Sequence, residues 1–283
     1  MRSLLAWLSR RSLRFLHALG SALGWAGYAL SGRYRRRLRD NAALAGLSVS
    51  QRRRAVGEAG KLVAELPRLW LRPHDRPMAD PVRWEGLEHL QRWLAHPQGL
   101  VLLTPHMGSF EVSAQAYAER FGAQRPITVL YRPAHKPWLR ELEETARARP
   151  HLHTAPATLA GVRQMLRALK RGETVGLLPD QVPPEGMGEW VPFFGVPAYT
   201  MTLAARLARQ TGACLGVLWT ERLPNGAGYV VRAMELPVPL PAQGDDAADA
   251  AAINASMEAV IRQQPGQYLW GYHRYKGPRR AEA

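Results

Sequence analysis

The stretch that most constrains the fold is Leu100 to Glu111, Leu-Val-Leu-Leu-Thr-Pro-His-Met-Gly-Ser-Phe-Glu. Its apolar run, Leu100 to Leu103, is short enough for a buried strand and breaks at Thr104-Pro105 into a polar turn. His106 lies in that turn and Glu111 follows five residues later. On one continuous helix that spacing is about 500° of rotation, which leaves the two side chains about 140° apart. The pair can meet only if His106 stays on the loop and a helix starts near Gly108 or Ser109, so that Glu111 falls in its first turn. The expectation is a His-carboxylate dyad at the carboxyl end of a strand, where open α/β sheets place their ligands, with His106 as the base. Of the nine histidines, only His106 has an acidic residue at this spacing.

A chain of 283 residues with 46% hydrophobic composition can bury a full core, and it reads as one α/β domain plus an N-terminal anchor. Its formal charge of +15 calls for an anionic partner: nucleic acid, phospholipid headgroups or an acidic carrier protein. Lysine occurs only at positions 61, 136, 170 and 276, so arginine carries nearly all the positive charge, and its planar fork suits phosphate. The single cysteine, Cys214, excludes an internal disulfide and fits a reducing compartment.

Residues 13 to 30 are largely apolar, interrupted by Arg14 and His17, and are flanked by Arg10 and Arg11 before and by Arg33, Arg35, Arg36, Arg37 and Arg39 after. This pattern predicts a membrane helix, shallow or marginally spanning, with the second arginine cluster on anionic headgroups. Residues 1–31 are therefore read as a membrane-associating segment and residues 32–283 as the catalytic domain.

Ser50 to Leu71 has the spacing of an amphipathic helix, with Val56, Leu62, Val63, Leu66 and Leu69 on its packing face. Strands are predicted at Pro126 to Tyr131 and Thr174 to Leu178, with a helix from Leu159 to Leu169 between them, stopped by Lys170-Arg171-Gly172. Arg132 and Asp180-Gln181 then stand, like His106, at strand ends. Arg132 is either an anion ligand or an ordinary exposed arginine, and Arg147 and Arg149 add further charge nearby. His151 and His153 lack a carboxylate or cysteine to complete a metal set, so no metal site is expected. Phe193-Phe194, between Pro192 and Gly195, either plug the core or line an apolar pocket. Ala213 to Thr220 and Gly228 to Glu235 read as a hairpin.

Taken together, His106-x4-Glu111, Tyr131-Arg132-Pro133, Leu-Pro-Asp180-Gln181, Val-Pro-Phe193-Phe194-Gly195 and Trp270-x2-His273-Arg274-Tyr275-Lys276 resemble, in order and spacing, the bacterial lipid A biosynthesis late acyltransferases. Arg39-Asp40-Asn41 resembles that family's entry region. The resemblance implies a single-domain mixed sheet flanked by helices, like that of the glycerolipid acyltransferases, with an N-terminal hydrophobic membrane helix. It also implies transfer of an acyl chain from acyl carrier protein to a phosphorylated glycolipid at the cytoplasmic face of the inner membrane, without a metal or diffusible cofactor. A lysophospholipid or another glycolipid is the alternative acceptor. His106 would then be the general base and Glu111 the orienting carboxylate. Arg132, Arg147 and Arg149 would grip an acceptor phosphate, amides near Gly108 would face the oxyanion, Asp180 and Gln181 would stand at the rim, and Phe193 and Phe194 would line the acyl pocket. The chain departs from the family pattern at Pro105 and Ser109-Phe110, where members often carry His or Asn and Asn-Trp. No RNA- or DNA-binding signature is present, so nucleic acid is not an expected partner.

Overall fold

A computed structural model describes residues 2–131 and 149–279. Its centre is a seven-stranded mixed sheet in the order β1-β9-β8-β2-β5-β3-β4, where β1 is Val82–Glu85, β2 Leu100–Leu103, β3 Ile127–Tyr131, β4 Leu152–Pro156, β5 Thr174–Leu177, β8 Cys214–Arg222 and β9 Tyr229–Glu235. The run from β8 to β4 is parallel, and the β8/β9 hairpin reverses direction, so that β9 and β1 form an antiparallel flank. β2 is buried at all four positions. Leu100 and Leu102 enter one apolar cluster with Tyr117 and Val112, whereas Val101 and Leu103 enter the other with Val175, Leu177 and Trp219. Helices therefore cover both faces, as a continuous apolar strand requires.

The helices that matter for the site are α1 (Arg2–Ser9), α2 (Leu13–Leu30), α3 (Gly32–Leu44), α4 (Val49–Trp70), α5 (Leu87–Ala95) and α6 (Phe110–Phe121), followed by α7 (Leu159–Lys170), α8 (Leu203–Thr211) and α9 (Asp246–Ile261). The expected segments at Ser50 to Leu71, Leu159 to Leu169 and the late hairpin are present with shifted ends. The Pro/Gly-rich stretch after Asp180 holds an unanticipated antiparallel pair, β6 (Gly188–Phe193) and β7 (Val196–Met201). In α4, Val63 is exposed whereas Glu58 and Glu65 are buried. The face that looked purely apolar in sequence therefore carries two carboxylates inward.

Of the two placements expected for the N-terminal segment, shallow or marginally spanning, the structure does not support the spanning one. Among the described residues no helix is long and apolar enough to cross a membrane. The 18 residues of α2 reach about 27 Å at 1.5 Å per residue, short of the ~30 Å hydrocarbon core, and Arg14 and His17 interrupt them. Instead α2 docks along α4 through small residues. A Cβ on Gly60 would lie 1.9 Å from the Gly20 carbonyl oxygen, and one on Gly24 would lie 2.4 Å from that of Val56. His17 is buried in this contact, its Nε2 3.1 Å from Glu65 Oε2. The outer surface keeps Leu4, Trp7, Phe15, Leu23, Trp25 and Leu30 exposed.

Candidate active site

β2 and β5 are parallel neighbours in register, with Leu103 opposite Leu177, and the Thr104 N–H donates to Leu177 O at 3.0 Å. His106 stands three residues beyond β2 and Asp180 three beyond β5, so the two side chains leave adjacent strand ends at the same level. They meet. His106 Nδ1 is 2.7 Å from Asp180 Oδ1, and the His106 N–H donates to Asp180 Oδ2 at 2.9 Å. Asp180 is fully buried while the imidazole keeps 17% of its side chain open. Burial disfavours the Asp180 charge, but the His106 ring and N–H outweigh it and hold the carboxyl below its usual range. An ionised carboxylate only accepts, so Nδ1 is a protonated nitrogen, and in the neutral ring Nε2 then carries the lone pair.

This corrects the expected dyad. The carboxylate on Nδ1 is that of Asp180, which lies inside the site rather than at its rim, and not that of Glu111. Glu111 does fall in the first turn of α6, where the helix dipole favours its charge, and its Oε2 accepts from Trp70 Nε1 at 3.3 Å. The Phe110 ring stands edge-on to the imidazole with centroids 5.0 Å apart, on the helix side of the ring. Gln181 follows Asp180 and is half-buried.

The loop under His106 is fixed from below. Gly108 has φ +57, and a Cβ there would lie 1.8 Å from the Thr220 carbonyl oxygen, so only glycine fits. Its N–H donates to Gln267 O at 3.0 Å, the Ser109 N–H to Thr220 O at 3.0 Å and the Met107 N–H to Pro105 O at 2.7 Å. The Met107, Gly108 and Ser109 amides are thus engaged inside the fold. The loop's other contacts are to a buried ionic cluster. Arg222 donates to Glu65 through Nε at 2.9 Å and Nη2 at 2.7 Å, to Glu58 at 2.8 Å and to Gly108 O at 2.9 Å. Glu65 Oε1 also accepts the Ser109 hydroxyl at 2.7 Å. Burial opposes its ionisation, but Arg222 prevails and brings Glu65 down to about 2. The sequence signal for this cluster was two acidic residues one heptad apart among the apolar positions of α4.

The remaining expectations divide. Arg132 and Arg147 lie outside the described residues. Arg149 is buried and donates to the carbonyls of Leu69, Arg72 and Pro73 at 2.8, 3.3 and 3.4 Å, so its guanidinium closes the end of α4. Burial and the Arg72 charge push it down to about 10. Phe193 and Phe194 are core residues. Their centroids are 4.8 Å apart, Phe194 lies 5.5 Å from Trp270, and the Phe194 N–H donates to Glu258 Oε1 at 2.6 Å. One cavity touching Phe193 is about 10 Å³, room for about one water. The C-terminal tail closes the site from the other side. The Leu269 N–H donates to His106 O at 3.1 Å, Asn41 Nδ2 donates to the carbonyls of Trp270 and Tyr272 at 2.7 and 2.8 Å, and the buried Arg274 donates to Tyr199 O at 2.7 Å.

The sequence matches the family model described as bacterial lipid A biosynthesis acyltransferase over residues 4–277. The chain belongs to this family. Within it, the chain is 32% identical over 236 residues to the lipid A biosynthesis lauroyltransferase of Escherichia coli (strain K12), covering 81% of this chain and 74% of that one. It is 28% identical over 237 residues to the lipid A biosynthesis palmitoleoyltransferase of the same strain, with the same coverage. A lipid A biosynthesis acyltransferase of Haemophilus influenzae matches at 28% identity over 68% of this chain and 60% of its own length. The lipid A acyltransferase family thus supplies the reaction class, acyl transfer, for a site whose open imidazole nitrogen is backed by a buried carboxylate.

Proposed function

We propose that this protein transfers a fatty acyl group from an acyl carrier protein thioester to a hydroxyl of a lipid A precursor, with His106 as general base. The observation that carries this reading is the His106–Asp180 pair at adjacent parallel strand ends, 2.7 Å apart, in a chain of the lipid A acyltransferase family. Nε2 takes the proton of the acceptor hydroxyl as its oxygen attacks the thioester carbon; when the tetrahedral intermediate collapses, the C–S bond breaks and the imidazolium returns the proton to the leaving thiolate. Asp180 fixes the tautomer and the ring and stabilises the imidazolium. Glu111 supports the same positive charge from the start of α6, and Arg132 and Arg147 are the candidates to hold an acceptor phosphate.

The same reading puts the protein on the cytoplasmic face of the inner membrane. Residues 1–31 lie on the surface of the bilayer with the exposed apolar face of α1 and α2 inserted, while residues 32–283 carry the chemistry. The test supplies radiolabelled acyl carrier protein with a tetra-acylated lipid A precursor and, in parallel, with a lysophospholipid. Label on the precursor supports the reading, and label on the lysophospholipid alone replaces the acceptor.

A further inference from the structure

Away from His106, α2, α3 and α4 enclose an open cavity of about 340 Å³ lined by Arg39, Arg52 and Arg53 together with Trp25 and Tyr28. No carboxylate lines it, and among the described residues none of the three guanidiniums has an ion pair or a hydrogen bond. Several arginines elsewhere in the fold are paired: Arg68 with Asp80, Arg206 with Asp246, Arg209 with Asp249 and Arg222 with Glu58 and Glu65. Three uncompensated cations converging on one concavity repel each other unless an anion joins them. Arginine in particular presents paired donors that match phosphate oxygens.

The walls and rim indicate what carries the phosphate. Trp25 and Tyr28 are stacked edge to face at 5.7 Å, and both are side chains that suit the boundary between headgroups and acyl chains. Val49, at the start of α4 and itself on the lining, and Trp25 are both exposed. An anion with an apolar body fits this juxtaposition, with its phosphate among the arginines and its apolar part against Trp25 and Val49. We propose that the cavity between α2, α3 and α4 is a binding site for a lipid-borne phosphate, distinct from the His106 site. It rests on the membrane-surface placement proposed above and adds a specific headgroup contact to it. The phosphate belongs either to a bilayer phospholipid or to the phosphorylated acceptor held ahead of the chemistry.

The test is vesicle flotation of the full chain, which reads binding independently of turnover, so its failure and the failure of the acyltransferase reading remain separate. Vesicles are neutral phosphatidylcholine alone, or mixed with phosphatidylglycerol or with phosphatidic acid. The site variant Arg39→Gln/Arg52→Gln/Arg53→Gln is compared with an equal-charge control on α7, Arg163→Gln/Arg167→Gln/Lys170→Gln, with thermal melts to establish that both are folded. At about fivefold per arginine near an anionic surface, the site variant loses roughly 100-fold of its partitioning onto anionic vesicles. The control loses less than about threefold, as expected of distant charges screened by salt. An acceptor KM that also rises in neutral detergent assigns the phosphate to the acceptor, and an unchanged KM assigns it to the bilayer. Equal losses in both variants would reduce the effect to net charge and overturn the site. So would unchanged vesicle binding in the site variant, loss of acyl carrier protein binding alone, or competition by inorganic phosphate at the concentration where phosphatidic acid saturates.

Discussion

Asp180 grips His106 twice, at Nδ1 and at the backbone N–H, so one carboxylate sets both the ring and the loop that carries it. That double contact is possible because Leu103 and Leu177 are in register on adjacent parallel strands. Asp180→Asn keeps the shape but can present an N–H to Nδ1 and reverse the tautomer. The expected loss in kcat is roughly 10²- to 10⁴-fold. The ¹⁵N shifts of the imidazole separate the two carboxylates: Asp180→Asn changes the tautomer, whereas Glu111→Gln lowers transfer with the tautomer retained.

Gly108→Ala forces a Cβ to 1.8 Å from the Thr220 carbonyl oxygen at a positive φ. The loop must move, and with it His106. A stability loss of about 1–3 kcal/mol is expected from denaturant unfolding, with a larger fractional loss of transfer than of folded protein.

Glu65 gives the protein an acid limb. Its folded pKa lies below its ordinary value, so its contribution is fully present above about 4.5 and is lost as pH falls toward about 2. The contribution is on the order of 3 kcal/mol. Unfolding free energy measured across that interval falls in the wild type and falls less steeply in Glu65→Gln. That variant is already destabilised at neutral pH because Arg222 keeps only Glu58 as a charged partner in the interior.

Gly60→Leu tests whether the N-terminal helix is built into the domain. A side chain there meets Gly20 and Gly24 of α2 at their backbones. Limited proteolysis is expected to release the segment before residue 31 from the variant and not from the wild type, with His17 withdrawn from Glu65.

The central strand, the α/β class and the importance of His106 were legible because a fully buried strand needs continuous apolar residues and a polar turn must follow it. Glu111 attracted the carboxylate role because sequence spacing is visible and strand adjacency is not. Asp180 is 74 residues away, and only the pairing of β2 with β5 brings it to the ring. The available signal is that Asp180, like His106, is a polar residue just past an apolar strand. Phe193 and Phe194 could not be divided between core and pocket without the contacts that Trp270 and α9 make. Arg149 looked like a ligand because its charge is visible in sequence, whereas the carbonyls it satisfies belong to the end of α4. The apolar N-terminal run looked like an anchor, but the Gly20, Gly24 and Gly60 contacts show that one face of it is committed to α4.

The most direct measurement is the rate of acyl transfer from labelled acyl carrier protein to a tetra-acylated lipid A precursor by wild type and by folded His106→Ala. General-base catalysis by His106 predicts a loss of at least about 100-fold. A folded His106→Ala protein within about tenfold of the wild-type rate would contradict it.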